Sequence, residues 1–296
     1  MADLRYGGPV PLVPNSSASG APRSPALANA CDAHLHIYDA RFAAIAPVVA
    51  NATVDDYRGV QGLLGTSRAV IVQPRCYGTD NSATLDAIRK LGMAHARGVA
   101  VVRPDVTDET LHGLHAGGIR GIRFSLYTEA HAAVSFEMVE ALADRVAGLG
   151  WHLQLHWTAD QIVAYGDLLA RLRTPLVFDH LGRLPLPGGT GHAAFSVISG
   201  LLARGNAWVK LSGAYLDSIV GAAGSYADID PVAMAWVRTA PERLVWGSDW
   251  PHSTETCFKP DDALLYDLLA RWTGTEALRR RILVDNPALL YGFETA

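Results

Sequence analysis

Eight short apolar runs of strand length recur along this chain, with amphipathic stretches between them, and that alternation restricts the fold more than any single residue does. The runs are CDAHLHI (31–37), RAVIVQP (68–74), ARGVAVV (96–102), GIRGIRFSL (118–126), WHLQLHW (151–157), PLVFDHL (175–181), AWVKLSG (207–213) and RLVWGSDW (243–250). Between them NSATLDAIRKLG (81–92), SFEMVEALADRVAGLG (135–150) and ADQIVAYGDLLARL (159–172) read as helices, the first with Asn81 and Ser82 as caps. A strand that returns parallel to its predecessor needs a long crossover, usually a helix. Eight such units predict an α/β chain folded as a (β/α)8 TIM barrel. A doubly wound sheet is the competing architecture, but no GxGxxG follows the first run.

With 296 residues, 49% of them apolar, the chain can fill one barrel core. The barrel is expected over 30–296. Residues 1–29, rich in Pro, Ser, Gly and Ala, read as an irregular N-terminal arm packed on it. ALANA before Cys31 resembles a cleavage site, yet no continuous apolar segment precedes it. No apolar run reaches the ~20 residues that span a bilayer. A formal charge of −4 without a Lys/Arg run argues against nucleic-acid or membrane partners. Three scattered cysteines without a CxxC spacing suggest a reducing, cytoplasmic setting. Nothing in the sequence identifies an interface, so homo-oligomerisation stays open.

Polar residues gather at the C-terminal ends of the predicted strands, where the loops of a barrel carry its chemistry. His34 and His36 end the first run, Arg75 follows the second, and Arg123 lies late in the fourth. His156 ends the fifth, Asp179 and His180 the sixth. Lys210 and Ser212 lie late in the seventh, and Asp249 ends the eighth. Residues two apart on a strand share a face, so His34 and His36 can grip one metal ion. Adding His156 and Asp249 gives a mononuclear, zinc-like ligand set with His180 beside it to polarise a carbonyl or move a proton. A lone buried imidazole is more often structural than a ligand, and it is the joint pattern that favours an active site. The same groups can also bind an organic substrate without metal, with Asp249 as general base. Lys210 reads as a structural ion pair in preference to a carbamate bridge, and nothing around Cys76 marks a nucleophile.

DAHLH in the first run, FDHLGR in the sixth and WGSDWPH in the eighth together resemble the amidohydrolase superfamily. VIVQPRCYGTDNSATLDAI (70–88) narrows the likeness to its lactonase branch, with 2-pyrone-4,6-dicarboxylate lactonase, 4-sulfomuconolactone hydrolase and D-galactarolactone isomerase. The likeness runs from about residue 30 to DNPALLYGF. It implies hydrolysis of a small anionic lactone bearing carboxylate or sulfonate groups. It also implies Asp249 as the base that takes a proton from water, with His34, His36 and His180 around the lactone carbonyl. Arg123 and Arg183 match arginines that hold substrate carboxylates. The pyrone lactonase is metal-free and has tyrosine where this chain has His156, so the histidine here restores the ligand set of zinc-dependent relatives. Glu129 and Leu216 stand near positions where arginines are expected, and Arg75 replaces a small polar residue, so the anion clamp is rearranged. Arg75, Tyr127, Tyr215 and His252 are further candidates for substrate contact. Lactone isomerisation and metal-dependent decarboxylation of an acidic substrate are the alternative reactions, and a barrel that only binds an organic anion is the non-enzymatic one. Selectivity is expected from loops around 38–55, 127–134, 184–192 and 214–228.

Overall fold

The side chains of the fifth strand show how the barrel divides its apolar residues. Leu153 and Leu155 join the large cluster that also contains Val139, Leu142 and Ile162 from the neighbouring helices. The intervening His152, Gln154 and His156 point the other way, into the barrel. A period of two on a strand forces that split. A computed structural model describes residues 13–18, 20–48, 51–130 and 132–294 of the chain. Its sheet holds eight strands in sequential order, each parallel to the next. They are β1 (Cys31–Leu35), β2 (Arg68–Val72), β3 (Ala96–Ala100), β4 (Ile119–Ser125), β5 (His152–His156), β6 (Leu176–Phe178), β7 (Ala207–Leu211) and β8 (Leu244–Trp246). The ring closes just past β8. There Asp249 N–H donates to His34 O and His36 N–H to Trp250 O, both at 2.8 Å. The fold is a (β/α)8 barrel.

The helices follow the expected pattern with local differences. Val54–Leu64 opens on a capping box in which Thr53 and Asp56 satisfy each other's backbone amides. Asn81 does not cap Ser82–Leu91. Its side chain instead joins Thr79 O to both polar backbone groups of Val101, and Asp80 accepts from Ser82 N–H at 3.0 Å. The stretch 159–172 breaks at Tyr165 into Ala159–Ala164 and Gly166–Arg171, where Tyr165 stacks on Phe136. No helix among the described residues is long and apolar enough to cross a membrane. The described part of the arm, from residue 13, has no helix or strand. It is tied down by Trp250 Nε1 donating to Pro14 O, Ser17 N–H to Pro260 O, and Arg23 and Ser24 N–H to the Asp267 carboxylate.

Several strands stop earlier than the apolar runs suggest, and the reason bears on the site. β6 ends at Phe178 and β8 at Trp246 because the backbone leaves the ladder in left-handed conformations. His180, Leu181, Gly182 and Arg183 have φ of 47°, 58°, 74° and 50°, and Asp249 has 61°. Such angles are costly for non-glycine residues and collect at functional sites. Gly213, itself at φ 62°, leaves room for His180, since a Cβ there would lie 2.8 Å from Nδ1.

Candidate active site

Strand parity alone would turn His34 and His36 away from the barrel interior. Cys31 and Ala33 pack inside with Val70, Val99 and Val245, so strict alternation would send residues 34 and 36 outward. The pairing shows why it does not. Asp32 faces Ala69 and Leu35 faces Ile71, so three steps on β1 match two on β2. This one-residue bulge puts Ala33 and His34 on the same side and carries both imidazoles inward. Gly247 lets β8 approach this bulge, because a Cβ there would lie 2.5 Å from that of His34. Asp32 then fastens the two chain segments. It accepts from His34 N–H and Ser248 N–H through Oδ1 and from Ser248 Oγ and Tyr57 OH through Oδ2. Burial raises its carboxyl to about 6 against those hydrogen bonds.

His34 Nε2 and His36 Nε2 are 3.3 Å apart, and Asp249 Oδ1 lies 3.5 and 3.6 Å from them. His36 Nδ1 is 2.8 Å from Val72 O, an oxygen that can only accept, so the ring proton is on Nδ1 and Nε2 carries a lone pair. His34 Nδ1 sits 3.3 Å from Asp179 Oδ1 and 3.4 Å from Lys210 Nζ. Burial holds His34 neutral. On Asp249 burial acts upward, but the imidazoles packed around it outweigh that, and the carboxyl stays well below its usual range. Two imidazole nitrogens and a carboxylate oxygen thus face one point. A tetrahedral ion with bonds of about 2.1 Å spaces its ligand atoms about 3.4 Å apart, so the triangle fits a divalent cation with one position left open. A backbone carbonyl and a carboxylate behind the two imidazoles are the partners that orient metal-binding histidines.

Beneath this triangle lies a polar layer. Asp179 Oδ2 accepts from Arg123 Nε at 3.0 Å and from Gln154 Nε2 at 3.2 Å. Lys210 Nζ donates to Ala33 O and Gln154 Oε1, both at 2.8 Å, and lies 3.9 Å from Asp179 Oδ1. Burial brings Lys210 down to about 8. For Asp179, burial pushes upward but His34 and Arg123 prevail and hold it well below the carboxylate range. The lysine is therefore a buried counter-charge. Asp179 stands in FDHLGR, yet only the fold reveals that it supports His34.

His180 Nδ1 is 3.0 Å from Ser212 Oγ and its Nε2 is 3.9 Å from Asp249 Oδ2, on the open side of the triangle. Burial keeps it neutral. His156 is placed differently from the expected fourth ligand. It is not among the residues whose donor atoms converge on Asp249. Its Nδ1 meets Ser125 Oγ at 3.2 Å and its Nε2 meets Arg183 Nη1 at 3.2 Å. The guanidinium can only donate, so the Nε2 lone pair is already taken. Arg183, expected to hold a substrate carboxylate, is itself engaged by Asp217 through Nε at 2.8 Å and Nη2 at 2.9 Å. Tyr127 covers both, stacked on the His156 ring and 3.9 Å from the guanidinium.

A cavity of about 800 Å³ opens over this floor, with His36, His180 and Asp249 at its base and Arg75, Arg123 and Tyr127 among its walls. Residues 38, 45–47, 127, 128 and 216 come from three of the loops expected to set selectivity, whereas 184–192 contributes nothing to the lining and 253–255 does. Tyr215 acts from behind, donating its hydroxyl to Asp249 Oδ2 at 2.7 Å. His252 does not reach the cavity. It is fully buried, with Nε2 3.1 Å from Asp262 Oδ1 and its ring edge against Tyr215. Burial raises the Cys76 thiol to about 11, so it is no thiolate nucleophile. Asp217 and Ser125 carry no sequence signal, being ordinary polar residues brought in by a loop and a strand end.

The chain is similar to known proteins over nearly its whole length. The chain is 34% identical to a 4-sulfomuconolactone hydrolase of Rhizobium radiobacter, over 96% of this chain and 97% of that one. It is 31% identical to the D-galactarolactone isomerase of Agrobacterium fabrum, over 92% and 94%. The crystal structure of a probable 2-pyrone-4,6-dicarboxylic acid hydrolase from Acinetobacter baumannii, with citric acid bound, superposes with a TM-score of 0.77 at 25% identity, covering 90% of this chain and 100% of that one. The amidohydrolase family profile matches residues 31–293, and with a likeness of that extent the chain belongs to the amidohydrolase family.

Proposed function

We propose that this enzyme opens a lactone ring bearing carboxylate or sulfonate groups, with a zinc ion held by His34, His36 and Asp249. The observation that carries the reading is the triangle of two imidazole nitrogens and a carboxylate oxygen at the base of a cavity walled by Arg75 and Arg123. Zinc bound there would supply a Lewis acid and bring the pKa of a water down to ~7. Asp249 accepts a proton from the attacking water, and Tyr215 fixes the carboxylate through Oδ2. In the tautomer where Ser212 Oγ donates to Nδ1, His180 carries its proton on Nε2 and offers it to the lactone carbonyl oxygen. Arg123, anchored by Nε to Asp179, turns its remaining N–H groups to the anionic substituent. The three unpaired thiols suit a reducing cytoplasm.

Proton release on a panel of anionic lactones, measured alongside zinc content after purification without chelator, tests the proposal. Turnover with about one equivalent of zinc supports it. Zinc below about a tenth of an equivalent in active protein removes the metal, and the absence of proton release across the panel removes the reaction. An isomerase reading has its own support, because Asp249 and His180 present two proton-carrying groups on one rim. Incorporation of oxygen-18 from labelled water into the product separates hydrolysis from isomerisation.

A further inference from the structure

The three arginines that line the cavity are paired differently. The Arg75 side chain has a single hydrogen-bond partner among the described residues, the backbone carbonyl of Ala130. Arg123 shares the Asp179 carboxylate with Lys210, so that trio keeps about one positive charge. Burial first and the Arg123 charge second lower the Arg75 guanidinium from its ordinary value. By contrast, the Arg183 charge is cancelled by the forked pair with Asp217, and a third N–H is taken by His156. Arg183 is largely buried and flanked by Tyr127, so the pair is shielded from solvent screening. Glu255 adds a negative charge at the mouth.

We infer that Asp217 is a specificity-determining residue, which neutralises Arg183 and restricts the cavity to ligands with one anionic group, seated at Arg75 and Arg123. The inference rests on the proposed lactonase reading for the nature of the substrate, but its charge rule does not need turnover. The Arg183 side then receives a neutral part of the substrate, such as a hydroxyl or a ring edge lying against Tyr127. A second carboxylate there would have to displace Asp217 from a bidentate charge-assisted pair or accept its repulsion.

Calorimetric binding of the three- to six-carbon α,ω-dicarboxylates, set against monocarboxylates of equal length, tests the rule on the enzyme as isolated. The wild type should bind matched mono- and dianions within about threefold of each other. Asp217→Asn should bind the best dianion at least about tenfold more tightly while monoanion binding stays within about twofold; tenfold corresponds to about 1.4 kcal/mol. Asp217→Ser, which lacks the amide, should shift the same way. A wild type that already prefers dianions tenfold overturns the inference. So does a lack of gain for dianions in both variants, or an equal loss of both ligand classes, which would make Asp217 a purely structural brace. None of these probes can be hydrolysed, so an enzyme that opens no lactone yet obeys the charge rule refutes only the reaction proposed above.

Discussion

β1 and β5 each bring two imidazoles to the barrel, and they use them in opposite ways. On the β1 side His34 and His36 converge to 3.3 Å with both Nε2 atoms within 3.6 Å of the Asp249 carboxylate. On β5 the histidines stand at positions 152 and 156, so roughly 13 Å of strand separates them. One reaches the rim and the other stays at the base. His156 has both ring nitrogens engaged, by Ser125 and Arg183. His152 is buried against Tyr291 with neither nitrogen bonded among the described residues. A histidine becomes a ligand candidate when its outer nitrogen is held by an acceptor and its inner one faces negative charge. Residue type and strand position are not enough.

Removing the negative charge should make the β1 side behave like β5, and that is the largest expected effect. Asp249→Asn should lower kcat/KM by about 10³-fold, on the scale of a lost general base, in steady-state assays on whichever lactone the panel selects. Full turnover in that variant would break the contrast. His36→Ala should release the metal and cost about 10²-fold in activity, whereas His156→Gln should retain about one equivalent of metal, both read by metal analysis of the purified variants. Equal metal loss in the two would show that β5 supplies a ligand after all. Tyr215→Phe, which only loosens Asp249, should reduce kcat about tenfold with the metal retained, the size of one hydrogen bond to a charged group.

The smallest effect belongs to the base of β5. Burial lowers His152 from 6.5 to about 3, so the unfolded chain takes up a proton that the folded protein refuses between those values. Stability must therefore fall as the pH drops through that window, with about 2 kcal/mol of the loss at pH 5 due to this residue. Urea unfolding at pH 7 and pH 5 should show a smaller difference for His152→Gln than for the wild type, with turnover unchanged. An identical pH slope in the two proteins contradicts the assignment of neutral His152.

The sequence was enough to find the strands and the rim, because both follow from short-range pattern. A period of two within each run and helices between runs leave a parallel barrel as the natural closure, and polar side chains late in a run then have to meet at one end. His180 and Asp249 were legible for that reason, and His34 and His36 as a pair sharing one face of their strand. Residues such as His156, Arg183 and His252 were legible only as candidates, since their roles depend on partners far away in the chain. Asp217 reaches Arg183 from another loop, and Asp262 claims His252 from a helix. The β1 bulge is the sharpest case: parity within the run would have turned both histidines outward, and only pairing with β2 and closure against β8 places them inside. Local pattern determined which side chains arrive at the mouth of the barrel. Long-range hydrogen bonding and charge pairing, which no single run encodes, decided which of them remain free to act.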